Sequence, residues 1–370
     1  MVVRSSAVEG LVALRIAITH PYSWPEVRRG AERIVVETAR ALGARGHDVT
    51  ILTAGSQRKR THDDTARVTT VRLRRRFADA DSHERWFGRA VLPHLLRGRF
   101  DVVHSMMPYD AVAAIRAARF RRHRTVYDEM GLPSPSWWSG RPDETARLRI
   151  VRDVDVYGCM SQFALDALRH ECNRDGVLIP GGVRLSEFRP STDREPQPTV
   201  LFSALLDEPR KGLAVLLDAL SLLAADEPDV RLWLSGPGDP AALLAAAPAA
   251  ARERTTLLPL GSPGDQVHRY AKAWATALPS THDSFGMVLI ESLACGTPIV
   301  VADHSAPPEF VTPETGAVCR PDDAESLAGA LRHALALARD GETAERCRAT
   351  AQAYDWDDAL APHLEKLYTP

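Results

Sequence analysis

The sequence has no C-x-x-C pair, and its five cysteines, Cys159, Cys172, Cys295, Cys319 and Cys347, are scattered and odd in number. That argues against a disulfide framework or a structural zinc site and points to a reducing, cytoplasmic setting. No apolar run approaches the roughly 18 residues of a membrane-spanning helix. The opening "MVVRSSAVEGLVAL" lacks the layout of a signal peptide, and residues 1–13 read as a flexible tail. Neither sign of charge dominates: 46 basic against 48 acidic residues leave no overall field to draw in nucleic acid. What the chain does have is length, and 370 residues suit two domains better than one core.

Strand and helix signals alternate along the first half. "LRIAIT" (14–19), "DVTILTA" (48–54), "DVVHSM" (101–106), "RTVYD" (124–128) and "DVYGCMS" (155–161) read as strands, with helical patterns at 30–46 and 110–120. A stretch rich in proline, glycine and charge around 180–200 reads as a linker. The pattern then restarts with "TVLFSAL" (199–205), a helix at 212–225, "VRLWLSG" (230–236), an alanine-rich helix, "TTLLPLG" (255–261) and "ATALPS" (275–280). Such alternation predicts two doubly wound, Rossmann-like α/β domains facing across a cleft. The predicted divisions are 14–185, 186–350 and a C-terminal helix at 351–370 that packs back toward the first domain. Ligands of open parallel sheets lie beyond the carboxyl ends of the strands, which directs attention to the loops at 19–30, 128–138, 205–212, 236–240 and 280–286.

The most informative stretch is "HDSFGMVLIESLACGTPIVVAD" (282–303), which reads as loop, helix and buried strand. Ser284 can cap the helix, Met287, Val288, Ile290, Leu293 and Ala294 give it an apolar face, and Gly296 ends it. Asp283 then precedes the helix start and Glu291 lies about two turns inside. Free amides and the positive dipole end favour an anion, and carboxylates at two depths can hold hydroxyl groups. A ligand with both phosphate and sugar hydroxyls suits that geometry.

Other motifs carry less. "GPGDPA" (236–241) matches a loose dinucleotide fingerprint but has no suitable acidic residue about 20 positions on. "DVD" (153–155) reads as a strand start, not a metal clasp, because no convergent oxygen shell is visible. The basic runs "RLRRRF" (72–77) and "RAARFRRHR" (116–124) read as solvated faces, with contact to an anionic membrane surface as the less favoured alternative. His104 is either a satisfied structural histidine or a ligand contact. Trp137 and Trp138 either form an acceptor-stacking platform or anchor their loop.

Together with "GAERIVVETARALGARGHDVTILTAG" (30–55), "DVVHS" (101–105), "LIPGGVRLSEFRP" (178–190), "DEPRKGLAVLLDAL" (207–220) and "YDWDDALAPHLEKLY" (354–368), the 282–303 stretch resembles the family-four retaining glycosyltransferases of GT-B fold. The likeness runs in order from about residue 14 to the C-terminus, and "DEPRKGLAVLL" is similar to actinobacterial phosphatidylinositol mannosyltransferases. The resemblance implies that Asp283 binds the donor sugar, Glu291 the nucleotide ribose and Lys211 the diphosphate, with the amides near Phe285, Gly286 and Met287 facing the donor. Gly30 matches a first-domain glycine that lets backbone approach the phosphate. It also implies a front-face mechanism in which the leaving phosphate accepts the acceptor proton, without metal or cofactor.

Four positions depart from the family pattern. Leu205 replaces a diphosphate-gripping arginine, which leaves Arg210 or the Arg28–Arg29 pair to share that task. Met130 stands where a histidine facing the donor 6-hydroxyl is usual, implying a 6-deoxy, modified or chain-extended sugar; with the register shifted, Asp128 or Glu129 takes the polar role. Gly181 replaces a common asparagine, and Asp283 is one methylene shorter than the usual glutamate. With His104, Asp128, Glu129, Trp137 and Trp138 on the acceptor side, the expected reaction moves a sugar from a GDP or UDP donor to a natural-product or thiol acceptor. The alternatives are a catalytically weak nucleotide-sugar-binding protein and a transferase acting on a lipid headgroup.

Overall fold

A computed structural model describes residues 12–27 and 29–369. The tail expected at 1–13 therefore falls, but for its last two residues, outside the described chain, as does Arg28.

The first sheet contains β1 (Arg15–His20), β2 (Asp48–Gly55), β3 (Lys59–Asp63), β4 (Val68–Arg74), β5 (Val102–Ser105), β6 (Arg124–Glu129), β7 (Val156–Cys159) and β8 (Val177–Leu178). Its order is β3-β4-β2-β1-β5-β6-β7-β8, and only the β3–β4 pair is antiparallel. The central strands are buried along nearly their whole length, as strands covered by helices on both faces must be. The β3 edge is the opposite case: "KRTHD" is exposed at every position, and its charge blunts an open sheet edge. With no apolar alternation, nothing in that sequence announces a strand.

The second sheet contains β9 (Thr199–Ser203), β10 (Arg231–Ser235), β11 (Thr255–Leu257), β12 (Ala275–Leu278), β13 (Ile299–Ala302) and β14 (Gly316–Cys319), all parallel, in the order β11-β10-β9-β12-β13-β14. Chain order reverses between β1 and β5 in the first sheet and between β9 and β12 in the second. These switch points are where doubly wound sheets open a crevice for ligands. The expected alanine-rich helix is two short ones, Ala241–Ala246 and Ala249–Arg252, separated at Pro248, which cannot donate the next helical hydrogen bond.

The chain crosses between the domains twice, and the crossings lie side by side. Val183 N donates to Tyr354 O at 2.9 Å and Trp356 N donates to Val183 O at 3.1 Å. Beyond the second crossing, the Ala361–Tyr368 helix lies against the first domain. There Arg45 and His47 both reach Glu365, and Tyr368 OH meets His104 Nδ1 at 2.7 Å. Arg184 joins Glu37 to Asp357 across the same seam. One apolar cluster runs from Ile16 and Ile18 through Val183 and Phe188 to Phe285 and Ile290, so the domains share buried surface.

Candidate functional site

The second-domain switch point brings two loops together. After β9, residues Pro209–Lys211 make one 3-10 turn, and Gly212 follows with φ 78°. A Cβ there would overlap the Pro279 carbonyl oxygen, so both conformation and close approach require glycine. The carbonyl of Arg210 accepts from Thr281 N and from Ser280 Oγ, each at 2.9 Å, which ties this turn to the loop after β12. Lys211 Nζ consequently donates to Asp283 Oδ2 at 2.6 Å, although 72 residues separate them.

Asp283 is held from behind by Ser305 Oγ, which accepts from its backbone N at 3.1 Å. The helix of this stretch runs Met287–Ala294, one residue after Gly286 at φ 92°, and its start has no side-chain cap. Ser284 was expected to provide that cap. Instead its hydroxyl donates to Met130 O in the opposite domain at 2.8 Å. The helix start thus leaves its first amides without a side-chain acceptor, an arrangement that favours an anion. Phe285 is buried, with its ring 4.9 Å from Phe310 and 5.9 Å from Tyr354, so its side chain anchors the loop. One turn into the helix, Glu291 is buried and paired with Arg33 from the first domain.

The first-domain residues divide. Gly30 opens the Gly30–Ala44 helix, and a Cβ on it would stand 3.8 Å from Met287 Cγ, which places the two helix starts face to face. Met130 is half-buried against the shared apolar cluster, with its carbonyl on Ser284. Trp137 is exposed and stacks on His282 of the second domain, centroids 6.1 Å apart. Trp138 is the loop anchor: it is buried, and its Nε1 donates to Leu132 O.

The structure does not present the remaining acceptor-side candidates to the cleft. His104 is buried and bound to Tyr368, and burial pushes its pKa down to about 3. Glu129 accepts from Tyr127, Tyr157, Arg147 and Gly131, so its carboxylate is consumed by its own domain. Asp128 is also buried, one oxygen lacks a partner, and burial raises its pKa well above the ordinary carboxylate range. All three lie on central strands, where the period-two alternation turns their side chains into the packed layers.

Of the cations proposed to replace the missing arginine, Arg210 is engaged by Glu208 at 3.1 Å and Arg29 by Glu32 at 2.7 Å, while Arg28 lies outside the described residues. Leu205 is largely exposed. Gly181 has a local reason, because a Cβ would overlap Met287 Sδ and crowd the Phe285 ring. Gly236, φ 147°, and Gly238, φ 103°, fit the same logic: a Cβ on either would overlap Ala204 O or the Asp207 carboxylate. The "GPGDPA" glycines thus pack two loops together. Asp155 of "DVD" accepts from Thr125 N and Oγ1, and no cluster suited to a metal occurs among the described residues.

Sequence reasoning missed Arg33, His282, His304 and Glu309. Glu309 accepts from the Gln162 and Phe163 amides of the first domain, at 2.9 and 2.8 Å. Arg33 lay on the expected helix, but no periodicity reveals which surface charge meets the other domain.

Comparison with known proteins places this geometry in context. Residues 28–187 match the model described as Glycosyltransferase Family 4, and residues 184–354 that of Glycosyl transferases group 1. A phosphatidyl-myo-inositol mannosyltransferase of Mycolicibacterium smegmatis is 30% identical, covering 96% of this chain and 93% of its own. The protein of that name from Propionibacterium freudenreichii is 27% identical, covering 96% and 95%. Among solved structures, sucrose-phosphate synthase from Thermosynechococcus elongatus superposes with a TM-score of 0.81 at 22% identity, covering 96% of this chain and 98% of its own.

Proposed function

From the premise that this chain belongs to the group 1 and family 4 glycosyltransferases of GT-B fold, we propose that it transfers mannose with retention from GDP-mannose to an inositol-type lipid headgroup. The observation that carries the donor half is the Lys211–Asp283 pair beside an uncapped helix start. Lys211 and the amides balance the diphosphate, Asp283 receives sugar hydroxyls, and Glu291 holds the ribose. The site supplies positioning and charge balance at the leaving phosphate, which itself takes the acceptor proton. No metal enters this scheme, so the initial rate is expected to survive excess EDTA; loss restored by magnesium or manganese rejects the scheme.

The acceptor half rests on near full-length likeness to phosphatidyl-myo-inositol mannosyltransferases, which favours a lipid headgroup over the natural-product or thiol acceptor expected from sequence. No helix among the described residues is long and apolar enough to cross a membrane, so access to lipid falls to the surface. Arg85, Arg89, Arg116 and Arg149 line a cavity of about 280 Å³ between the Ala80–Arg97, Pro108–Ala118 and Glu144–Asp153 helices. Crowding by Arg116, Arg119 and Arg152 adds to the desolvation that lowers the pKa of Arg149. We place contact with an anionic leaflet on this face, at the cytoplasmic side. Reversing Arg89 and Arg116 to glutamate is expected to cut cosedimentation with phosphatidylinositol vesicles at least fivefold. Undiminished cosedimentation excludes this face.

The founding experiment is incubation with GDP-mannose and phosphatidylinositol, scored for a mannosylated lipid. A second reading, a 6-deoxy or chain-extended donor, rests on Met130 lying across from Ser284 at the cleft. Competition between GDP-mannose and its 6-deoxy counterpart decides between them.

A further inference from the structure

Among the described residues, Arg33 carries a charge from the first domain onto a second-domain carboxylate assigned to the donor. It lies one turn into the Gly30–Ala44 helix, whose first residue faces Met287. Its Nη1 reaches Glu291 Oε1, and its guanidinium lies 5.2 Å from the centre of the Phe188 ring, in the segment that crosses between the domains. The Glu291 side chain is only 5% exposed, against 24% for Arg33. Burying a carboxylate costs free energy unless it is paired, and Arg33 supplies the pair. The pair engages Oε1 of Glu291 and the Tyr270 hydroxyl also bonds the carboxylate, which as an anion keeps acceptor capacity for a ligand hydroxyl.

We propose that Arg33 is a positioning residue for the donor nucleotide: it orients Glu291 across the cleft, so that the ribose clamp is complete only when the two domains face each other. This rests on the reading of Glu291 as the ribose-holding residue. Under it, donor affinity reports domain arrangement, because half of the clamp belongs to the domain that does not hold the diphosphate. A purely structural ion pair would stabilise the protein without distinguishing one nucleotide from another.

The test measures dissociation constants for GDP and 2′,3′-dideoxy-GDP, with UDP and its dideoxy form in parallel, on folded wild-type, Glu291→Gln, Arg33→Gln and Arg33→Lys proteins. The wild type is expected to prefer the ribonucleotide about tenfold, as loss of a charge-assisted hydrogen bond implies. In Glu291→Gln and Arg33→Gln that ratio is expected to fall to about two or less, and in Arg33→Lys to recover in part. A ratio lost in Glu291→Gln but intact in Arg33→Gln overturns the role of Arg33. A ribonucleotide that binds Arg33→Gln more tightly than wild type also overturns it, since Arg33 would then compete with the ribose. A ratio intact in Glu291→Gln refutes the ribose reading itself, and the proposal with it.

Discussion

Replacing Lys211 with alanine is expected to lower kcat/KM for the nucleotide-sugar donor by about 30- to 150-fold, equivalent to about 2 to 3 kcal/mol for a lost charge-assisted contact. Two effects act in the same direction. In the proposed donor site the diphosphate loses the Lys211 ammonium, and Arg210 and Arg29 are already bound by Glu208 and Glu32. Asp283, only 13% exposed at its side chain, loses the ammonium that now donates to it at 2.6 Å. An unpaired carboxylate would then repel the diphosphate it ought to sit beside. Arginine at 211 should recover part of the rate, because it restores charge without the compact geometry of an ammonium. Steady-state kinetics on folded variants decide the matter, and near-normal turnover in Lys211→Ala removes the residue from the donor site.

The second large effect is on stability. Gly236→Ala should cost about 3 kcal/mol or more, because φ 147° disfavours any side chain and the added Cβ overlaps backbone that cannot swing aside. For a domain of this size that corresponds to a fall in Tm of about 6 to 12 °C. Gly329→Ala is the matched control: it lies within the Ala324–Arg339 helix and its Cβ would meet only the tip of Arg332 at 3.8 Å, so it should be neutral or slightly stabilising. Thermal unfolding of both variants separates strain from mere loss of glycine. An unchanged Tm for Gly236→Ala would reopen the idea that this loop serves a ligand.

Features encoded within one contiguous stretch were legible from sequence. The buried parallel strands announce themselves as β-branched runs, and the helix that follows Asp283 and carries Glu291 is legible from its apolar face. The resemblance assigned Lys211 and Asp283 to one donor, on diphosphate and sugar respectively, but not to each other; the adjacency of β9 and β12 explains why their side chains meet. What stayed hidden was set by the meeting of the domains. Ser284 obeys no local capping rule because a carbonyl in the other domain offers it a partner. Glu291 and Arg33 are 258 residues apart, and neither sequence neighbourhood marks the other. Of the two readings of His104 the structural one holds, and Asp128 and Glu129 stay off the acceptor side for a related reason: polar residues at strand ends suggest a cleft, but here they are buried, with Tyr368 of the C-terminal helix on His104 and Arg147 on Glu129.

The side-by-side crossings at Val183 and Asp355 also bear on how the chain is made. A ribosome delivers the first domain early, and domains generally fold as they emerge. Here, however, Glu365 and Tyr368, which close over Arg45, His47 and His104, follow the whole second domain in chain order. Until the ribosome has passed them, the nascent first domain lacks the helix that covers His104. A stop codon that removes the Ala361–Tyr368 helix would therefore damage the domain that is made first.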